Sequence, residues 1–295
     1  MKKRDVRVWL VTTEHLEGSL WFRDDEDFKV GMNYVAVQVA VSDLVVLAFI
    51  LMSNHVHFIL VGTREEVLAF VNNFKMRYAA HVQRKYGLQE PLRRNRVHLL
   101  ELGREEESEE RAIAYVQMNC VAANICANST QYPWGSGNAF FNPVALKGLP
   151  VGRLSIRARR RSLRSEAEVP GGWLLGDDGY ILPSSYLNIK YVEQLYGTPR
   201  RMNYFLNTSS KAQRRIASGE TDMPSFRDQI VASAVPDLCK ALFGKPCSQE
   251  LNPAQMAELL RQLRYRFSSS VNQLSRVTGL TYDAAARLLD NFVGS

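Results

Sequence analysis

Arg7 to Thr13 runs through apolar and β-branched residues, Val8, Trp9, Leu10, Val11, Thr12 and Thr13, and reads as a strand. From Asp24 to Val41 the apolar positions recur at helical spacing, with acidic residues in the first turn, and predict a helix. Leu44 to Met52 is an unbroken apolar run of strand length, and Ser53-Asn54 supplies a tight turn into a further strand, His55 to Val61. Glu65 to Tyr86 predicts a second amphipathic helix closed by Gly87, and Arg96 to Leu102 a fourth strand.

This order, β-α-β-β-α-β, is the split βαβ arrangement of an α+β, ferredoxin-like antiparallel sheet with helices on one face. A helix then starts with Ser108 as N-cap and Glu109-Glu110 in its first turn, and runs through Tyr115 and Asn119 to about Cys126. After the loop Tyr132-Pro133-Trp134-Gly135-Ser136-Gly137 the composition shifts. Between Asn142 and Ser165 there is no acidic residue, and Lys147, Arg153, Arg157, Arg159, Arg160, Arg161 and Arg164 carry seven positive charges, equal to the excess of the whole chain. Gly171-Gly172 and Gly176-Asp177-Asp178-Gly179 punctuate a loop-rich stretch, Ser184 to Tyr196 reads as helical, and the chain from Pro253 onward is helical by pattern. Three regions are expected: a catalytic domain at 1–142, a basic linker and loop-rich middle at 143–229, and a helical region at 230–295.

Length and composition allow a full core: 295 residues, 46% of them apolar. The net charge of +7 favours a polyanionic partner without naming it. Four cysteines without CxxC pairing or zinc-ligand spacing fit reduced thiols, and a cytoplasmic location is expected. The basic start Met1-Lys2-Lys3-Arg4 is followed by an apolar stretch too short for export. Tyr34 to Leu51 is long and mostly apolar, but Gln38, Ser42 and Asp43 interrupt it, so a buried helix, a turn and a strand are expected and no membrane partner.

The chemistry concentrates in two places. In a strand alternate residues share a face, so His55 and His57 project together while Val56 and Phe58 face the other way. Two imidazoles are good donors to a divalent cation but an incomplete set, and the same pair also fits two ordinary sheet-surface histidines. On the later helix Tyr115 and Asn119 stand one turn apart on one face, where a nucleophile and an oxygen donor can be presented together. Taken alone, they fit an amphipathic helix surface equally well.

The runs Leu51-Met52-Ser53-Asn54-His55-Val56-His57-Phe58-Ile59-Leu60, Tyr115-Val116-Gln117-Met118-Asn119 and Tyr132-Pro133-Trp134 together resemble the REP-associated tyrosine transposases, relatives of the single-tyrosine HUH transposases. The resemblance spans roughly residues 7 to 141. It implies His55, His57 and Asn119 as ligands of Mg²⁺ or Mn²⁺ and Tyr115 as the nucleophile, acting on single-stranded DNA that carries a hairpin. It also implies nicking and rejoining through a 5′-phosphotyrosine, as in DNA transposition and recombination, and a bacterial, nucleoid-associated protein. The chain departs from the family where Asn-Pro-Val-Arg-Ala-Gly is common, having Asn119-Cys120-Val121-Ala122-Ala123-Asn124, and Ser53 stands where proline is usual.

For DNA contact the sequence offers Lys75, Arg77, Arg84 and Lys85 on the second helix, with Tyr78 to stack on bases, and Arg93, Arg94 and Arg96 beyond it. Arg157, Arg159, Arg160 and Arg161 read as a phosphate-binding arm more than as a folded element. Leu274 to Leu288 has helix-turn-helix spacing around Gly279, with Arg276 and Arg287 as candidates for a duplex-reading or homodimer-forming module. Two rival functions stay open: a host-adopted protein that recognises DNA hairpins without cutting, and a metal-dependent hydrolase that uses water in place of Tyr115.

Overall fold

The computed structural model describes residues 4–13, 20–87, 95–123, 125–142, 144, 147–208, 228–267, 269 and 271–290. Strand β1 (Arg7–Thr13) is joined to β2 (Val45–Met52) by helix α1 (Asp25–Ala40), and β3 (His55–Gly62) to β4 (Val97–Glu101) by α2 (Arg64–Tyr86). The four strands form one antiparallel sheet in the order β2-β3-β1-β4, so β1 and β2 run the same way with β3 between them. The class is α+β.

Local chemistry fixes both helices where the pattern predicts them. Asp24 caps α1 by accepting from the Asp27 amide at 2.9 Å, Thr63 and Glu66 form a reciprocal capping box on α2, and Gly87 ends α2 with φ 68°. Phe58 on β3 meets Phe70 and Phe74 of α2 with ring centroids 5.6 and 5.7 Å apart. Its strand neighbour His57 therefore faces the other side of the sheet, away from α2. Among the described residues no helix is long and apolar enough to cross a membrane, and Tyr34 to Leu51 is divided between α1, a turn and β2.

The edge of β2 is covered. Leu51 N donates to Trp134 O at 2.8 Å and Ser136 N to Phe49 O at 2.9 Å. A side chain on Gly135 would place Cβ 2.8 Å from Phe49 O, so only glycine lets the loop lie this close. Further along, Asn188 N donates to Val46 O at 3.1 Å, and the strand's free backbone groups are spent inside the chain.

The middle region is more tightly integrated than the expected linker. Val151, Leu163, Ile181, Tyr186, Val192 and Tyr196 are buried in the same apolar cluster as the sheet. The arginine run is corrected as well: it is folded, forming α5 (Ile156–Leu163), with Ser155 accepting from Ala158 N at 3.2 Å and Leu163 buried. The reason lies in α1, where the buried Asn33 amide donates to Ser162 O and Gly179 O, each at 3.1 Å, and accepts from Ile181 N at 3.0 Å. One polar side chain thus ties two later segments to the first helix.

The C-terminal helices α8 (Asp228–Phe243), α9 (Pro253–Phe267), α10 (Val271–Thr278) and α11 (Tyr282–Asp290) follow α6 (Ile189–Tyr196) and α7 (Pro199–Thr208). With Leu20 they build a second apolar cluster around Leu259, Leu260, Leu263 and Phe267. Gly279, φ 75°, makes the turn between α10 and α11. The buried Arg266 joins the two clusters: its guanidinium meets Asp25 at 2.6 Å and its carbonyl accepts from the Ser53 hydroxyl.

Candidate metal and nucleophile site

The pairing of β1 with β3 sets Thr12 opposite His57, and Thr12 Oγ1 lies 2.9 Å from His57 Nδ1. His55 Nδ1 lies 2.7 Å from Asn54 Oδ1. An amide oxygen only accepts, so this bond puts the proton of His55 on Nδ1 and makes Nε2 the lone-pair nitrogen. The two rings stand edge to face, 4.7 Å between centroids.

Helix α3 (Ser108–Gln117) crosses this face of the sheet and brings the Tyr115 ring to 5.4 Å from that of His57, in the same chain. The single helix expected through to Cys126 is not formed: α3 ends at Gln117 with Met118 as its C-cap, and a short α4 (Asn119–Ala122) follows. Asn119 Nδ2 donates to the Tyr115 carbonyl at 2.8 Å, so the side chain takes the acceptor that a continuing helix would give to the Asn119 backbone N–H. The Asn119 side chain also hydrogen-bonds the Tyr115 phenol, so the pair meets despite the break. Burial pushes the phenol above its ordinary pKa and that hydrogen bond pulls the other way, leaving it raised.

His55, His57 and Asn119 are at most 5% exposed, whereas Tyr115 is half-buried and forms the open side. Among the described residues no group of three or more His, Cys, Asp or Glu side chains could hold a metal ion. What the site offers is two imidazoles and one amide, a neutral set. Such a set is incomplete for a divalent cation, and further oxygen ligands would have to complete the shell.

The expected DNA contacts divide. Lys75 is corrected: it is buried and its ammonium donates to the Asn95 carbonyl, out of reach of a phosphate. Tyr78 is also corrected: its ring stacks in the core with Trp21 and Phe74, and its hydroxyl donates to Trp21 O at 2.5 Å. Lys85 is held by Asp24 at 2.5 Å and Asp27 at 2.9 Å. Arg77, Arg84, Arg160 and Arg161 come together along one cleft, while Arg157 is exposed on α5 outside it and Arg159 is half-buried. Arg96 is exposed, and Arg93 and Arg94 lie outside the described residues. In the C-terminal helices Arg276 clasps Asp228 with two bonds, at 2.5 and 3.1 Å.

Thr12 and Asn54 escaped the sequence reading. Asn54 stands next to His55 in the tight turn and had a local signal; Thr12 had none, because only the strand register sets it against His57.

No family model and no curated protein matches the chain. A solved structure of a REP-associated tyrosine transposase bound to a REP hairpin is similar over 47% of this chain and 81% of that one, with 12% identity and a TM-score of 0.36.

Proposed function

We propose that this protein is a metal-dependent transesterase that nicks and rejoins single-stranded DNA beside a hairpin, with Tyr115 as nucleophile. The observation that carries the reading is the convergence of four side chains from separate parts of the sequence: His55 and His57 side by side, Tyr115 against His57, and Asn119 on the Tyr115 phenol. The motif resemblance points the same way, and we read the strand order β2-β3-β1-β4 as ferredoxin-like.

His55 and His57, through ring nitrogens, and Asn119, through its amide oxygen, would hold Mg²⁺ or Mn²⁺. When bound, such an ion offsets negative charge on a phosphate and favours the phenolate form of a nearby tyrosine. Tyr115 Oη bonds to phosphorus as it loses its proton, and the bond from phosphorus to the 3′-oxygen breaks, releasing a DNA 3′-hydroxyl. The 5′-phosphotyrosine keeps the phosphodiester linkage. Attack by a 3′-hydroxyl then restores the DNA strand and returns the phenol. Asn54 and Thr12 act as positioning residues by orienting the imidazoles.

Purified protein with Mn²⁺ and labelled single-stranded hairpin oligonucleotides is expected to give a covalent adduct on a denaturing gel. Cleavage without an adduct would replace this reading with water-driven hydrolysis. One observation favours a second reading, recognition without cleavage: the near-complete burial of both imidazoles. Tight binding with neither adduct nor cleavage would establish it.

Removing a hydrogen bond behind a metal-ligating histidine typically weakens metal binding or activity by about 10–100-fold. Thr12→Val is therefore expected to raise the Mn²⁺ concentration needed for half-maximal adduct formation within that range, with the rate at saturating Mn²⁺ nearly unchanged. An unchanged Mn²⁺ dependence would remove Thr12 from the site.

A further inference from the structure

We infer that the cleft between α2 and α5, on the face of the sheet opposite Tyr115, is a second DNA site that grips the phosphodiester backbone without reading bases. The cleft measures about 1000 Å³, and Arg77, Arg84, Lys85, Arg160, Arg161 and Arg164 line it against only two carboxylates, Glu26 and Glu166. It lies on the outer side of the layer whose inner side presents Phe70 and Phe74 to Phe58, while His57 and Tyr115 occupy the other face. Three stretches far apart in sequence supply the walls: the first turn of α1, the second half of α2, and the end of α5 with the residues after it.

The cations are arranged to meet an outside anion. Among the described residues Arg77 bonds only the Ser165 hydroxyl, at 3.4 Å, and Arg84 only the Ala80 carbonyl, at 3.1 Å, and Arg161 is exposed at the rim. Arg164 is built in more firmly. Its guanidinium donates to His81 Nδ1 at 3.2 Å, and His81 Nε2 in turn reaches the buried Asp27 at 2.9 Å. Arginine cannot accept, so this chain fixes the imidazole with its proton toward Asp27 and holds the guanidinium at the wall, with Glu26 on its other side. Arg164 keeps this place in a left-handed conformation, φ 48°, which non-glycine residues adopt at a cost.

The lining has no Phe, Tyr or Trp ring and no amide side chain, and its one imidazole, His81, is buried with both ring nitrogens engaged by Asp27 and Arg164, so it lacks exposed groups that stack on or pair with bases. Its concave shape suits a strand passing through, where a flat anionic membrane would touch only the rim. What remains is charge and bidentate donors, the chemistry of a phosphate backbone. The site shares with the function proposed above only that the partner is DNA. A DNA gripped there while another part reacts at Tyr115 must contact both faces of the sheet.

The test is fluorescence anisotropy of a labelled hairpin with a single-stranded tail, in EDTA so that no metal-dependent chemistry intervenes, across a salt series. The triple variant R77A/R84A/R161A is expected to weaken binding about tenfold or more and to flatten the plot of log affinity against log salt by about three. A charge-matched control, R64A/R153A/R200A, at exposed positions outside the cleft, keeps most of the slope. Exchanging the hairpin and tail sequence leaves the effect of the triple variant in place. At saturating DNA with Mn²⁺ the triple variant still forms adduct if Tyr115 is the nucleophile, so failure there is separate from failure here. Equal slopes for the cleft and control variants would overturn the inference, as would tight binding of ATP in the cleft with no effect on DNA.

Discussion

Tyr115→Phe is expected to abolish the covalent protein–DNA adduct while leaving hairpin affinity within about threefold of the parent, because one hydroxyl is lost and no charge. The ring remains, so its edge contact with His57 and the packing of α3 persist. The raised phenol pKa bears on the proposed attack: burial disfavours the phenolate and the Asn119 hydrogen bond only partly offsets this, so the proposed mechanism expects adduct formation to depend on added cation. His57→Ala should accordingly suppress the adduct as well, though through metal binding. Residual adduct in Tyr115→Phe would move the nucleophile to another residue.

The largest effect on stability is expected at Asp27. Its carboxylate is fully buried and accepts from Arg23 N at 2.9 Å, His81 Nε2 at 2.9 Å, Lys85 Nζ at 2.9 Å and the Tyr86 hydroxyl at 2.8 Å. Asp27→Ala leaves Arg23 N and His81 Nε2 without this acceptor, while Lys85 and Tyr86 keep Asp24, and breaking a buried pair in this way costs about 3–5 kcal/mol. Urea denaturation measures it, and a loss below about 1 kcal/mol would contradict the network. Burial alone would raise the Asp27 pKa, but the His81 hydrogen bond, the charge of Lys85 and the remaining donors outweigh it and lower it from 3.8 to about 2. A depressed carboxylate stabilises the fold above its unfolded pKa. Its contribution is therefore complete above about pH 4 and lost as pH falls toward 2. Asp27→Ala should flatten the acid limb of stability in that window.

Much of the site was legible because its elements are local. Alternation in β3 fixes which side His55 and His57 share, and a four-residue spacing brings Tyr115 to Asn119, so no long-range knowledge is needed. Thr12 was not legible, since the register between β1 and β3 depends on how the whole sheet packs. Lys75 misled by its charge. One turn after Val71 and before Ala79, both buried, it occupies the inner side of α2, and the spacing carried that information. Asn33 carried the opposite lesson: an amide among the apolar residues of a helix gives no sign that it will anchor α5 and the turn at Gly179. Asp27, expected as one of several acidic residues favourable at a helix start, is instead the centre of a buried network whose other side chains, His81, Lys85 and Tyr86, lie on α2.

The most direct measurement is peptide mass mapping of the adduct formed with Mn²⁺ and a hairpin oligonucleotide, after nuclease trimming and proteolysis. The account predicts a nucleotide 5′-phosphate on the peptide that contains Tyr115, joined through the phenol. DNA cut while that peptide stays unmodified, or a nucleotide joined to any other residue, would contradict it.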